Sequence, residues 1–307
     1  MKLQLSRLVI LPFILFLTAC ELAPDNSRNR VGSNAYIGVL PLATAVQIDY
    51  QDEVKLLRLN QLIAEHNGDN KQEALLFYER GIIYDRMGLS AHSRYDFTQS
   101  INRDPEFPDA YNSFGVYLLL AQSYDEAFDA FDSAIELSSD NLHYSYLHRA
   151  IGLYQIKRYS LASDDINKFY RMNKSDPYRT LWRYIIDSKI DPYRALQTLK
   201  NAHAENAIDH YGWTLVDVIA GRISEQELFT NIGKGLNSNK ELAQRLCEAY
   251  FYLGHWHKLA GHLDKAIYYF KLTTTTNIHE FIEYKYALME LASIQQDLQS
   301  QLKKQSN

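Results

Sequence analysis

The sequence predicts an all-α fold, a solenoid of stacked helix pairs, and three observations carry that prediction. When residues 74–107 are laid over 108–141, Gly81 falls on Gly115, Ser93 on Ala127, Phe97 on Phe131 and Ser100 on Ala134. Small residues at these places let two antiparallel helices approach closely, and a Phe between them fills the gap. Gly88 sits between the two helices of its pair, and Asp104-Pro105 stops the second helix before the next unit begins. The match holds at an offset of 34 residues.

Gly, a small residue, Phe, a small residue and Pro in a 34-residue period are the signature of the tetratricopeptide repeat. The expected class is therefore all-α, a tetratricopeptide-repeat helical solenoid. Such a stack offers other proteins a curved surface and brings no catalytic apparatus of its own. Its function has to be argued from sites.

Taken in order, residues 1–19 read as an export signal. Lys2 and Arg7 make a positive start, and Leu8 to Leu17 is an apolar run interrupted only by Pro12, too short to span a bilayer about 30 Å thick. Leu17-Thr18-Ala19-Cys20 matches the bacterial lipobox, which implies cleavage before Cys20 and lipid attachment to it; several acyl chains together anchor stably. Glu21, rather than Asp, follows the cysteine and favours the outer membrane, facing the periplasm. Losing Lys2 and Arg7 with the signal moves the formal charge from −5 to −7. There is no basic stripe, which argues against nucleic acid as a partner. With Cys20 lipidated, Cys247 is left without a disulfide partner, so the core has to supply the stability.

Residues 20–45 read as a flexible tether, with Pro24, Asp25, Asn26, Ser27, Gly32, Ser33 and Asn34 crowding its first half. The solenoid is expected over 46–298. It opens with a helix carrying Val54, Leu57 and Ile63 on one face, and Asn70 with Glu73 three places on has capping-box spacing. Clear repeats fall near 74–107, 108–141, 143–176 and 247–280. In the third, Ala150, Ala162 and Ile166 take the marker positions; in the last, Gly254, Gly261, Ala266 and Phe270 do so. Between them, 178–236 reads as two degenerate helix pairs. Residues 280–298 form a capping helix, as terminal repeats are atypical, and 299–307 a polar tail that frays.

His255, His257 and His262 invite a metal reading, but residues two apart on a helix point about 200° apart and cannot share an ion. No metal site, cofactor or catalytic residue is expected. Cys247 has His255 eight residues on, which places them on one helix face about 12 Å apart, and it reads as a buried structural thiol. No phosphate-cradling Gly-rich loop, Ser elbow or helical metalloprotease motif is present. The chain reads as a non-enzyme.

The candidate site is the inner curve. By the tetratricopeptide rule, places 2, 5, 9, 12 and 13 of each first helix face inward. That selects Leu75, Tyr78, Ile82, Asp85 and Arg86 in the first unit. In the second it selects Asp109, Asn112, Val116, Leu119 and Leu120, and in the third Tyr144, Leu147, Ile151, Tyr154 and Gln155. A face of Val, Leu, Ile and Tyr is apolar for a wetted surface and implies a partner, a second subunit or a segment folded back into the groove.

The chain also resembles the NlpI family of tetratricopeptide outer-membrane lipoproteins. The likeness rests on LLFYERGIIYDRMGL at 75–89, DAYNSFGVYLL at 109–119, AFDAFDSAIEL at 127–137, ISEQEL at 223–228 and NIHEFIEYKYALMEL at 277–291. The last two lie outside any repeat consensus. The resemblance implies a homodimeric, periplasm-facing adaptor that holds a tail-specific protease and presents peptidoglycan endopeptidases and other hydrolases to it. A structural role in another outer-membrane assembly, such as barrel-protein insertion, is the alternative.

Overall fold

Helices and the turns between them make up the described chain. The structure, a computed structural model, describes residues 40–65, 68–138, 143–206 and 210–305, and every statement below concerns those residues. The export signal, Cys20 and the tether as far as Val39 lie outside them. Fourteen helices and no strand are found there. In order they are α1 Tyr50–Glu65, α2 Asn70–Arg86, α3 Ser90–Arg103, α4 Pro108–Leu120 and α5 Tyr124–Leu137; then α6 His143–Gln155, α7 Tyr159–Met172, α8 Pro177–Asp187, α9 Pro192–Asn206 and α10 Gly212–Ile219; and finally α11 Glu225–Asn231, α12 Asn239–Leu259, α13 Leu263–Thr274 and α14 Ile282–Gln305.

The repeat register is that of a tetratricopeptide solenoid. A Cβ on Gly81 would stand 2.7 Å from the Phe97 ring, one on Gly115 2.6 Å from Phe131 and one on Gly254 2.7 Å from Phe270. The marker glycine exists because the marker phenylalanine lies directly on the backbone of the facing helix. In the third pair Ala150 and Ile166, both fully buried, replace the combination: a smaller second residue admits a methyl on the first.

The turn inside five of the pairs repeats as well, the α8–α9 pair being the exception. Gly88, Gln122, Lys157, Gly221 and Gly261 all have φ between 61° and 81°. After each, the next amide reaches back to the helix: Leu89 N–H to the Tyr84 carbonyl at 2.8 Å, Ser123 to Leu118 at 3.0 Å, Arg158 to Leu153 at 2.8 Å, Arg222 to Asp217 at 2.9 Å and His262 to His257 at 2.9 Å. This closure satisfies carbonyls that the helix end would otherwise leave bare, and it requires a left-handed residue. Its presence between α10 and α11 shows that the second weak pair keeps the repeat turn although its helices are short.

Buried ion pairs recur too. Arg80 holds Asp96 through two hydrogen bonds of 2.7 Å, and Arg149 holds Asp165 at 2.6 and 2.8 Å. The two pairs occupy equivalent places in the first and third units, with Asp96 and Asp165 almost fully buried.

Four expectations shift. Asp69, not Asn70, caps α2 by accepting from Lys71 N–H at 3.1 Å, so Glu73 lies one place too far for a capping box and instead meets Arg103 at 2.8 Å. On α1 it is Leu56, Leu59 and Ile63 that are half covered; Val54 and Leu57 face solvent. The stretch expected to be a tether is docked from Leu40 onward. The Pro41 carbonyl accepts from the Tyr250 hydroxyl, Thr44 exchanges two hydrogen bonds with Asn239 at 2.9 and 2.8 Å, and Val46 N–H bonds the Thr276 carbonyl at 3.1 Å. Finally, the capping helix starts at Ile282 and runs on through residues expected to fray, as far as Gln305. Lys303 and Lys304 in its last turn suit the negative end of the helix.

Candidate protein-binding surface

Asp85 on α2 and Gln155 on α6, two of the positions expected to face inward, meet α14. Lys285 Nζ stands 2.8 Å from Asp85 Oδ2, and Asp85 also accepts from the Tyr117 hydroxyl. One residue on, the Tyr286 hydroxyl meets His148 Nδ1 at 2.7 Å, both side chains being buried. One turn further, Glu290 accepts from the Gln155 amide at 2.8 Å and pairs with Lys258, while His255 Nε2 lies 3.8 Å away. Lys285, Tyr286 and Glu290 reach the groove because α14 presents one side to it.

The electrostatics favour that arrangement. Burial pushes the Glu290 carboxyl up, but Lys258, His255 and Gln155 outweigh it and hold the group below the ordinary carboxylate range. His148 is driven down to about 3 by burial, with Lys285 adding to the effect, and His255 to about 4 by burial against the pull of Glu290. Both rings are therefore neutral at pH 7. A neutral His148 can accept the Tyr286 O–H at Nδ1, which a charged ring could not do.

Each expected groove residue now has a place. Val116, Leu119, Ile151 and Tyr154 are buried in the core and offer nothing to a partner in this arrangement, and Leu147, equally buried, forms part of the wall of a cavity beside α14. Asp85 and Gln155 are taken by Lys285 and Glu290. Arg86 pairs with Asp52 of α1 at 2.7 Å, and Asn112 accepts from Ser145 at 2.9 Å. Tyr78 packs between Phe97 and Phe107, and Ile82, Asp109 and Leu120 are half covered. Only Leu75 and Tyr144 remain about half exposed. A segment of the chain itself, α14, lies against part of this face.

The histidines and the cysteine resolve by packing. His257 Nε2 meets Glu225 Oε1 at 2.9 Å, a carboxylate brought from 32 residues away, which Tyr269 also contacts. Among the described residues no group of three or more His, Cys, Asp or Glu is placed to hold a metal ion. Cys247 is fully buried beside Ala243 and Ile278, and burial pushes its thiol well above its ordinary value, away from the nucleophilic form.

No protein-family model matches the chain. Solved structures similar to it include a tetratricopeptide repeat protein from Parabacteroides merdae (15% identity, 79% of this chain and 94% of that one, TM-score 0.48). Another is the Cut9–Hcn1 hetero-tetramer of APC/C (19% identity, 73% of this chain and 36% of that one, TM-score 0.47). A third is YrrB, described as a TPR protein with an unusual peptide-binding site (14% identity, 76% of this chain and 98% of that one, TM-score 0.41). The tetratricopeptide assignment stands on the glycine–phenylalanine contacts and the repeated turn, without help from these likenesses.

Beside the start of α14 the face stays open. A cavity of about 290 Å³ lies between α6, α7, α8, α12 and the first residues of α14, with half-exposed Tyr144 among its walls. Sequence reasoning missed its two deepest carboxylates, Glu248 and Glu283, which stand on helices far apart in the chain and carry no local motif.

Proposed function

We propose that this chain is a lipid-anchored, non-catalytic adaptor of the NlpI kind. It is held at the outer membrane through Cys20, faces the periplasm, and gathers a tail-specific protease with peptidoglycan endopeptidases and other hydrolases. The observation that carries the reading is a solenoid of tetratricopeptide pairs whose sequence resembles that family in passages no repeat consensus demands. One of them, 277–291, supplies Lys285, Tyr286 and Glu290, the residues that seat α14 on the inner face. Because α14 occupies that face, partners meet the outer surface and the open end of the groove.

The mechanism is proximity. Holding enzyme and substrate on one anchored scaffold raises their mutual concentration to about the millimolar range, with no chemistry supplied by the scaffold. A homodimer is part of the proposal. Tyr50, Val54 and Leu57 succeed one another on one side of α1, and all three are exposed, an apolar stripe suited to a second copy.

The test is capture from solubilised envelope by the tagged full chain, paired with Cys20→Ser. The expected result is a periplasmic protease and a wall hydrolase in the eluate, acyl mass on the wild type, and loss of outer-membrane fractionation in Cys20→Ser. A wild type without acyl mass, or Cys20→Ser fractionating unchanged, overturns the anchor. Capture of an outer-membrane barrel-assembly complex in place of protease and hydrolase overturns the adaptor.

A further inference from the structure

The cavity beside the start of α14 has an imbalance of charge that the fold does not resolve. Four carboxylates line it: Asp176, Glu248, Glu280 and Glu283. Asp176 has Arg179 3.3 Å away, and Glu280 has Arg86 at 4.0 Å. The other two accept from tyrosines, Glu248 from the Tyr178 hydroxyl at 2.5 Å and Glu283 from the Tyr252 hydroxyl at 2.9 Å, with Arg245 and Lys285 acting on them only from farther off. Neither carboxylate has a cation within 4.0 Å among the described residues, and Glu283 is 7% exposed. Burying a carboxylate without a counter-charge costs free energy that a hydroxyl recovers only in part.

The walls are of the matching kind. Tyr144, Phe169, Tyr178 and Trp182 all line the cavity, and aromatic faces attract cations through the ring quadrupole. The pattern already operates inside the protein, where the Arg179 guanidinium lies 3.9 Å from the centre of the Phe169 ring. An anion meets like charges in this cavity. An apolar group leaves two carboxylates desolvated and unpaired. A metal ion has no cluster of three ligating side chains to hold it.

From this we propose that the cavity receives the cationic tip of a lysine or arginine side chain presented by a bound polypeptide. A volume near 290 Å³ falls at the lower edge of small-molecule sites, which begin at about 300 Å³, and so suits a single side chain. The remainder of the segment then lies along the rim, where Tyr144 is 49% exposed. Charge complementarity selects the occupant, and the aromatic walls hold its aliphatic stem. Burial, reinforced by Glu283, raises the Glu248 carboxyl to about 8 against the pull of Tyr178 and Arg245, so its ionised form is under-compensated. An arriving cation supplies the missing compensation. The site does not depend on the lipid anchor or on which protein brings the segment, so its failure leaves the adaptor reading standing.

The test is calorimetric titration of the full chain at pH 8 with blocked pentapeptides carrying a central lysine, arginine or norleucine in a glycine background, and with free butylammonium. The lysine and arginine peptides are expected to saturate and to bind at least tenfold more tightly than the norleucine peptide. Glu248→Gln and Glu283→Gln, which keep their size and can still accept from tyrosine, should each weaken the basic peptides at least tenfold. Tyr144→Ala, at the half-exposed rim where folding is not at stake, should weaken them threefold or more. Equal binding of norleucine and lysine peptides overturns the proposal, as does the absence of saturable binding or unchanged affinity in Tyr144→Ala. Butylammonium binding as tightly as the lysine peptide assigns the site to a free amine and overturns the polypeptide occupant.

Discussion

Lys285 on the last helix stands 2.8 Å from Asp85 on α2, a residue 200 positions earlier and at the inward place where a partner was expected. The solenoid thus bends until its end meets its beginning, and Lys285, Tyr286 and Glu290 mark three successive points of that closure. Part of the face that the repeat pattern offers to an occupant is in fact core, with Leu119 fully buried in it.

Glu290 is the most demanding of the three points. It is 1% exposed and shared by Lys258 and Gln155, with His255 close by. Glu290→Ala leaves Lys258 facing the core without its charge and Gln155 without its acceptor. The expected loss is about 3–5 kcal/mol in urea unfolding, as for other broken buried pairs. Glu290→Gln, which keeps the bond to Gln155 through its carbonyl, should lose less. A loss below about 1 kcal/mol for the alanine variant would show that α14 is held by apolar packing alone.

Gly115 tests the repeat register directly. The ideal Cβ lies 2.6 Å from Phe131, whose ring is fully buried and has nowhere to move. Gly115→Leu should cost about 1–3 kcal/mol or more through overpacking, and Gly115→Ala a smaller amount in the same direction. Thermal unfolding of both variants measures it, and a midpoint equal to wild type would break the equivalence of Gly81, Gly115 and Gly254.

Lys157 offers the opposite sign. It is exposed and holds φ at 64°, in a turn where Gly88, Gly221 and Gly261 stand at the corresponding places. A left-handed conformation costs an L-residue roughly 1–2 kcal/mol, while glycine's extra chain entropy in the unfolded state gives back about 0.5–1. Lys157→Gly should therefore stabilise the chain by about 0.5–1 kcal/mol. A destabilised variant would mean that the lysine side chain does more in this turn than its exposure implies.

The same positions explain what could be read from the sequence. The spacing of Gly81 to Phe97 is local, and a contact between neighbouring helices repeats wherever the pair repeats. The left-handed place was readable at Gly88 and Gly261 and hidden at Gln122 and Lys157, where residue type gives no sign of φ. The seat of α14 had no such signal. Lys285 and Asp85 carry the right charges, but so do many surface pairs, and nothing local says which of them meet. For the same reason Glu248 and Glu283 passed as ordinary helix carboxylates until the fold brought them to one cavity.

The last prediction concerns pH, because two sets of buried groups pull in opposite directions. His148 and His255 titrate at about 3 and 4 when folded, below their ordinary 6.5. The unfolded chain therefore binds protons that the folded one refuses, and these histidines cost stability as pH falls below 6.5. Glu248 behaves in the reverse way. Its folded value of about 8 lies above the ordinary 4.5, so the folded chain keeps a proton the unfolded chain has shed. Its contribution is present below 4.5 and lost as pH rises from 4.5 to 8. Between pH 6.5 and 8 the histidine contribution dies away while Glu248 still acts, with Tyr178, Tyr211, Asp176, Glu283 and Arg245 as the groups around it. The melting temperature should fall over that interval in the wild type. In Glu248→Gln the fall should shrink to what remains from Glu283, which burial raises as well, and that remainder is itself reduced because the neighbouring charge is gone. Melting curves at half-unit steps from pH 5 to 8.5 decide the matter. A wild type that gains stability between pH 6.5 and 8, or a Glu248→Gln profile parallel to it, would show that Glu248 is already ionised in the folded chain.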